Sequence, residues 1–269
     1  MCGFFCITGR DVGKIVSNKE VISTGEKFIH RGPDSQNHYF EKEFKCYFRR
    51  LSIIDINQRS NQPFVSDCDR YVLLFNGEIY NFKIIKNELI NLGKKFRTQG
   101  DTEVLLKAFQ FWGKNFVKRI RGMFSICIWD KKLKTFYAYR DRFGIKPLYY
   151  TKFRSSYIFS SEIKDIINLL KQKKFSENRK VVKNYLYNSF LNDSEESFFK
   201  DIKSVQPANL IEISNSKLKI SKYWSLKYSE KLNLNKHEII NKFKKAFELH
   251  TISDVPIAYT LSGGIDSSL

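Results

Sequence analysis

An α+β fold, with antiparallel sheets layered on one another and helices outside them, is what this sequence predicts, and three observations predict it. The chain has 269 residues, 42% apolar and 15% aromatic, enough to fill a sizeable core. Its 13 glycines and 5 prolines are too few for a collagen-like, elastic or low-complexity chain, so one large or two modest globular domains are expected. The apolar runs read as strands on either side of two helices rather than as strict β-α-β alternation, which disfavours a doubly wound parallel sheet.

Taken in order, residues 3–8 are apolar enough for a buried strand. Lys45–Ile54, Tyr71–Phe75, Phe124–Trp129, Thr135–Tyr139 and Tyr157–Ser160 read as further strands. Two helices are expected among them. Phe82, Ile85, Leu89 and Leu92 recur at helical spacing, as do Val104, Leu105, Ala108, Phe109 and Trp112. Residues 192–197 form a polar interruption, and Leu210–Ile213 with Leu218–Ile220 read as a hairpin around Asn215. Asn235 is placed to cap a helix, with Glu238 completing a capping box and Ile239, Ile240, Phe243, Ala246 and Phe247 on one apolar face. A last strand, Pro256–Leu261, then runs into Ser-Gly-Gly-Ile-Asp-Ser-Ser, the opening of a second domain. The expected boundaries are a first domain over 2–205, a connecting hairpin and linker over 206–234, and the second domain from 235 to 269.

A net charge of +19 raises nucleic acid or an anionic surface as a partner. The basic residues are scattered, however. Clusters such as Lys171, Lys173, Lys174 and Lys242, Lys244, Lys245 alternate with apolar residues, as on solvated helix faces, so nucleic acid is disfavoured. Five cysteines (Cys2, Cys6, Cys46, Cys68, Cys127) show no C-x-x-C and no His at ligand spacing, so neither a disulfide framework nor a metal site is expected. A reducing cytoplasm fits that usage. The N-terminal apolar run is too short for a signal peptide, and none approaches the ~20 residues that span a bilayer, so no membrane association is expected.

Cys2 stands where removal of the initiator Met would leave a thiol beside a free α-amine. That amine, with a pKa of ~7.7–8.0, is a competent base toward a thiol of ~8.5, so one residue supplies nucleophile and base. The plainer alternative is a small buried residue of an N-terminal strand. Asn76-Gly77 is a strong hairpin dipeptide, yet the residues after it lead into a helix. An amide side chain and a backbone N–H at a strand end can instead donate to a developing oxyanion. Arg50 can present its planar fork to a carboxylate. Asp101 is either a helix N-cap, the commoner fate, or a counter-charge for an ammonium group. The stretches Arg31–Asp34 and Arg140–Tyr150 show turn formers and charges but no chemistry by spacing alone. Ser262–Ser268, behind an expected strand, resembles an N–H cradle for phosphate or pyrophosphate, although it lacks the lysine of a Walker A loop.

Together these residues resemble the glutamine-hydrolysing asparagine synthetase family over nearly the whole chain. The motifs are Met1-Cys2-Gly3, His30–Asp34, Arg50–Asp55, Gln62-Pro63, Phe75–Asn81 and Gly100–Glu103, in order. The resemblance implies a class II glutamine amidotransferase domain with the four-layer αββα sandwich of N-terminal-nucleophile hydrolases. It implies Cys2 as nucleophile, Asn76 and Gly77 as oxyanion hole, Arg50 on the glutamine α-carboxylate and Asp101 on its α-amine. Glu78 and the backbone of Leu51, Ser52, Ile53 and Ile54 would complete the pocket. Gln62-Pro63 and Arg140–Tyr150 match motifs read as structural, and Pro207-Ala208 stands where the family commonly shows Pro-Gly. Leu261, Ser262, Gly263, Gly264, Asp266 and Ser267 are similar to the ATP and pyrophosphate loop that opens the family's synthetase domain, an ATP-pyrophosphatase. There a ligase would adenylate aspartate with ATP and Mg2+, and ammonia from glutamine would attack it. Free aspartate and another carboxylate, such as one on a surface sugar, both remain open as acceptor, and so does a homodimer.

Seven residues follow Ser262, whereas a nucleotide-binding α/β sheet needs on the order of a hundred to bury itself. The expectation is therefore the first helix and strand of an incomplete α/β domain, from a fragment or a truncated reading frame, with glutaminase activity at most. A basic nucleic-acid-binding module and an inert remnant are the rival readings.

Overall fold

The computed structural model describes residues 2–189, 194–228 and 235–265. Strand β1 (Gly3–Gly9) leads into two short helices, α1 (Val12–Ile15) and α2 (Asn18–Glu26), and then into β2 (Ser35–Phe40) and β3 (Phe44–Arg50). The two-residue β4 (Phe64–Val65) precedes the long β5 (Tyr71–Ile79), and helices α3 (Phe82–Asn91) and α4 (Asp101–Trp112) follow. Then come β6 (Gly122–Asp130), β7 (Thr135–Arg140), β8 (Tyr149–Phe153), β9 (Ser156–Ser160), α5 (Ile163–Leu169) and α6 (Arg179–Asn188). The short β10 (Lys203–Ser204), the hairpin β11 (Asn209–Ser214) and β12 (Lys217–Lys222), and α7 (Lys236–His250) close the order.

Two six-stranded sheets result, ordered β10-β8-β9-β1-β3-β2 and β12-β11-β7-β6-β5-β4, with antiparallel pairing at each neighbour. Side-chain alternation along the strands divides the core into three apolar layers. Phe4 and Cys6 of β1 pack with Phe44, Phe48, Val72, Leu74, Trp129 and Phe136 between the sheets. Phe5 and Ile7, on the opposite face of β1, pack with Val12, Val21, Ile166 and Leu169 of the helices outside the first sheet. Leu73 and Phe75 of β5 pack with Ile85, Leu89, Val104 and Leu105 of α3 and α4 outside the second. Helix, sheet, sheet and helix form the four-layer αββα sandwich. A strand buried on both faces needs a continuous apolar run, which is why β1 and β5 stand out in the sequence.

Three expectations need correction. The strand expected over 45–54 ends at Arg50, because the loop beyond it turns its carbonyls toward the Arg50 guanidinium. Strands β2, β4, β8 and β10 join the sheets unforeseen. β2 is a largely exposed edge strand rich in polar residues, so no apolar alternation announces it. Pro256–Leu261 forms no strand: these residues are exposed and lack a ladder partner among the described residues. The capping box at Asn235 and Glu238 is present, whereas Ile239, Phe243 and Phe247 of α7 face solvent. Ala208 takes a left-handed φ of 59°, so alanine holds a turn that glycine adopts without strain.

Candidate active site

Strand register and side-chain alternation bring the candidate residues to one end of the sandwich. β1 and β3 pair with Gly3 opposite Arg49, so one step further Cys2 stands across from Arg50. Cys2 shares the inward parity of Phe4 and Cys6, Arg50 that of Phe48, and Asn76 that of Val72 and Leu74. The three side chains therefore meet between the sheets. With Leu51, Ile53, Ile54, Gly77, Glu78 and Asp101 they line a pocket of about 60 Å³, room for several waters at ~10–15 Å³ each.

Cys2 Sγ receives the Leu51 N–H at 3.3 Å and lies at the same distance from the Leu51 carbonyl. Arg31 donates from Nε and Nη2 to the Cys2 carbonyl at 3.2 and 2.9 Å, so the Arg31–Asp34 stretch anchors the main chain of Cys2. Gly3 leaves the space this needs, since a Cβ there would stand 2.5 Å from the Phe28 ring and 2.8 Å from Arg31 Cβ. Burial pushes the Cys2 thiol up, while the Leu51 N–H and the Arg50 guanidinium draw it down. Cys6, Cys46 and Cys127 are buried core residues.

Asn76 and Gly77 lie within β5, opposite Ser125 and Phe124, and make no hairpin turn. The Asn76 side chain is buried, and its Nδ2 has no hydrogen-bond partner among the described residues. An unmet buried donor costs ~1–3 kcal/mol, so its presence in a pocket wall calls for an acceptor that arrives from outside. Gln62 fixes the strand just before it: Phe75 N–H donates to Gln62 Oε1 at 2.6 Å, and Gln62 Nε2 donates to the Phe75 carbonyl at 3.0 Å. At Gly77 a Cβ would come within 2.1 Å of the Met123 carbonyl, so a side chain there would break the β5 to β6 ladder.

Asp101 is not the helix cap; Gly100 occupies that position and Asp101 is the first residue of α4. Its carboxylate turns into the pocket and accepts the Ile79 N–H at 3.0 Å. Burial pushes the Asp101 carboxyl up to about 7, opposed by the Ile79 N–H and reinforced by the Glu78 charge. Glu78 is also raised by burial, with Lys146 and His250 pulling it back.

Arg50 donates from Nη1 to the Asn57 carbonyl at 3.0 Å and to Asn61 Oδ1 at 2.8 Å, and from Nη2 to the carbonyls of Ile54 and Asp55. It reaches the pocket with much of its fork already engaged. Ser52 falls outside the wall. Its N–H donates to Asp34 Oδ2 at 2.7 Å instead.

Lys146, Gln62 and Thr102 also line the pocket, a place that motif and spacing do not assign to them. Lys146 is buried, and burial draws its ammonium down against the opposing charge of Glu78. Its loop is built around Asp141, which accepts the N–H groups of Phe143 and Ile145 on Oδ1 and those of Phe124 and Lys146 on Oδ2. A single lysine framed by Ile145 and Pro147 was the available signal.

Leu261, Ser262, Gly263 and Gly264 are exposed, with Gly263 at a left-handed φ of 75°, and lie apart from this pocket. Asp266 and Ser267 lie outside the described residues. Among the described residues no group of three or more His, Cys, Asp and Glu is placed to hold a metal ion, and no helix is long and apolar enough to cross a membrane.

Residues 1–224 match the family described as a glutamine amidotransferase domain, and residues 238–269 match the asparagine synthase family. Asparagine synthetase [glutamine-hydrolyzing] 1 of Bacillus subtilis is 31% identical across 100% of this chain and 43% of its own length. Amidase chyE of Penicillium rubens is likewise 31% identical, over 100% of this chain and 42% of that protein. The chain thus spans less than half the length of these two relatives. Among solved structures, the glutamine phosphoribosylpyrophosphate amidotransferase from B. subtilis superposes with a TM-score of 0.61 at 17% identity, covering 83% of this chain and 49% of that one. That likeness concerns the fold.

Proposed function

The chain belongs to the glutamine amidotransferase domain family, and from that premise we propose that its pocket hydrolyses glutamine to glutamate and ammonia with Cys2 as nucleophile. The observation that carries this reading is the Asn76 Nδ2, without a partner among the described residues, in the same pocket wall as the Cys2 sulfur.

Once Met1 is removed, the α-amine of Cys2 takes the thiol proton, and the thiolate attacks the side-chain amide carbon of glutamine. The carbonyl oxygen becomes an oxyanion held by Asn76 Nδ2 and the Gly77 N–H. Collapse expels ammonia with the proton stored on the amine and leaves a γ-glutamyl thioester. Water, deprotonated by the same amine, then releases glutamate. Arg50 holds the substrate α-carboxylate by exchanging loop carbonyls for it, and Asp101 faces the α-ammonium. Glu78 and the backbone of Leu51, Ile53 and Ile54 form the remaining wall in this reading, while Ser52 stays outside it with its N–H on Asp34.

Residues 2–205 would be the glutaminase domain, 206–234 a connecting hairpin and linker, and 235–269 the start of an ATP-pyrophosphatase domain. In the whole protein the ammonia would amidate a carboxylate activated by ATP with Mg2+, with Leu261, Ser262, Gly263, Gly264, Asp266 and Ser267 at the pyrophosphate. Aspartate is the acceptor the asparagine synthetase relatives suggest. The likeness to an amidase leaves a different carboxylate as the alternative. The test is glutamate release by the wild-type chain, with Met1 removal checked by mass, against Cys2→Ala. Loss of turnover in the variant is expected, and equal rates would refute the assignment.

A further inference from the structure

We propose that Asp254 is a positioning residue for the glutamine pocket: a latch, thrown from the segment after α7, that fixes the loop on which Arg50 is set. Asp254 Oδ2 accepts the Asp55 N–H at 2.7 Å, and the Asp254 N–H donates to the Ile53 carbonyl at 2.9 Å. These two bonds grip the loop on either side of Ile54. From the inner side, Arg50 Nη2 donates to the carbonyls of Ile54 and Asp55. The same short stretch is thus held by Asp254 outside and by the guanidinium within, although Asp254 is 199 residues from Asp55 in the chain.

Two further observations point the same way. Asp55 sits at a left-handed φ of 48°, with its carboxylate held by Ser60 Oγ and the N–H groups of Asn57, Gln99 and Gly100 and its own N–H by Asp254, so the latch completes the set of bonds that fixes this turn. The His250 ring, at the end of α7, packs on Tyr80 with centroids 4.2 Å apart, and Tyr80 directly follows Ile79, whose N–H holds Asp101. The segment therefore docks against both carriers of the substrate's α-substituents. A few residues later the chain reaches Ser262–Gly264, so the latch ties the approach to that loop to the glutamine pocket. Releasing Asp254 frees the Asp55 N–H and the Ile53 carbonyl, and so loosens the stretch whose Ile54 and Asp55 carbonyls hold Arg50, while Cys2, its carbonyl held by Arg31, and Asn76, within β5, keep their places.

The inference rests on reading the pocket as a glutamine site, and the test separates the two. Steady-state glutaminase kinetics and amide hydrogen exchange at Asp55 are measured for wild type, Asp254→Ala and Asp254→Asn. A lost hydrogen-bond acceptor predicts a glutamine KM raised about three- to tenfold in Asp254→Ala with kcat unchanged, together with faster exchange at Asp55. Asp254→Asn keeps an acceptor oxygen in place and restores both. An unchanged KM, or a fall in kcat that asparagine does not rescue, overturns the positioning role. Exchange needs no turnover: an inactive wild-type chain would sink the glutamine reading, and unchanged exchange in Asp254→Ala would sink the latch.

Discussion

Asn76 holds a buried amide N–H with no hydrogen-bond partner among the described residues, and Asp101 keeps a carboxyl in a place that penalises its charge. Both are local losses that a bound glutamine would recover. Asn76→Ala should lower kcat about 10²- to 10³-fold with little change in KM, while the urea midpoint stays close to wild type because the deleted group had no partner. For Asp101 the sign follows from its raised pKa of about 7. Only the ionised carboxylate answers an ammonium, so glutamine KM should rise as pH falls below about 7, steepening toward tenfold per pH unit. The same shift means the folded chain holds this proton more tightly than the unfolded one. Its stabilising effect is complete below ~3.9 and is lost as pH rises through about 7, so Asp101→Asn should be more stable than wild type at pH 8 while binding glutamine more weakly. Cys2, Asn76 and Arg50 were legible as candidates because each is a chemically distinctive residue beside a strand. Lys146 and Gln62 were not, since a lysine or glutamine in a turn-rich stretch looks solvated until a loop folds it inward.

At the level of elements, the segment after β7 shows how a loop acquires a fixed shape without regular structure. Asp141 gathers four backbone N–H groups and Arg140 donates to the carbonyls of Lys146, Gly144 and Val205. Asp141→Ala strands those donors in a buried site and should cost about 3–5 kcal/mol of unfolding free energy, read from urea titration. Asp141→Asn, keeping one good acceptor oxygen, should cost less. Such networks are invisible to periodicity, which is also why the strand expected over 45–54 extends past the observed end at Arg50. Its last residues are apolar, but their carbonyls serve Arg50 rather than a ladder. The Pro256–Leu261 segment has the composition of a strand, and composition cannot supply the neighbour that a strand requires.

For the molecule as a whole, the αββα arrangement was legible in outline because two-sided burial writes continuous apolar runs into β1, β5 and β6, and amphipathic stripes into α3 and α4. The meeting of Cys2, Arg50 and Asn76 needed the register, since Cys2 directly precedes β1 while Arg50 and Asn76 lie in β3 and β5, across two sheets. The most direct test of that meeting is to quench the chain during glutamine turnover and locate the acyl group by peptide mass. A γ-glutamyl group is expected on Cys2 and none on the exposed Cys68. Turnover that leaves Cys2 unmodified while Cys68 carries the group would contradict it.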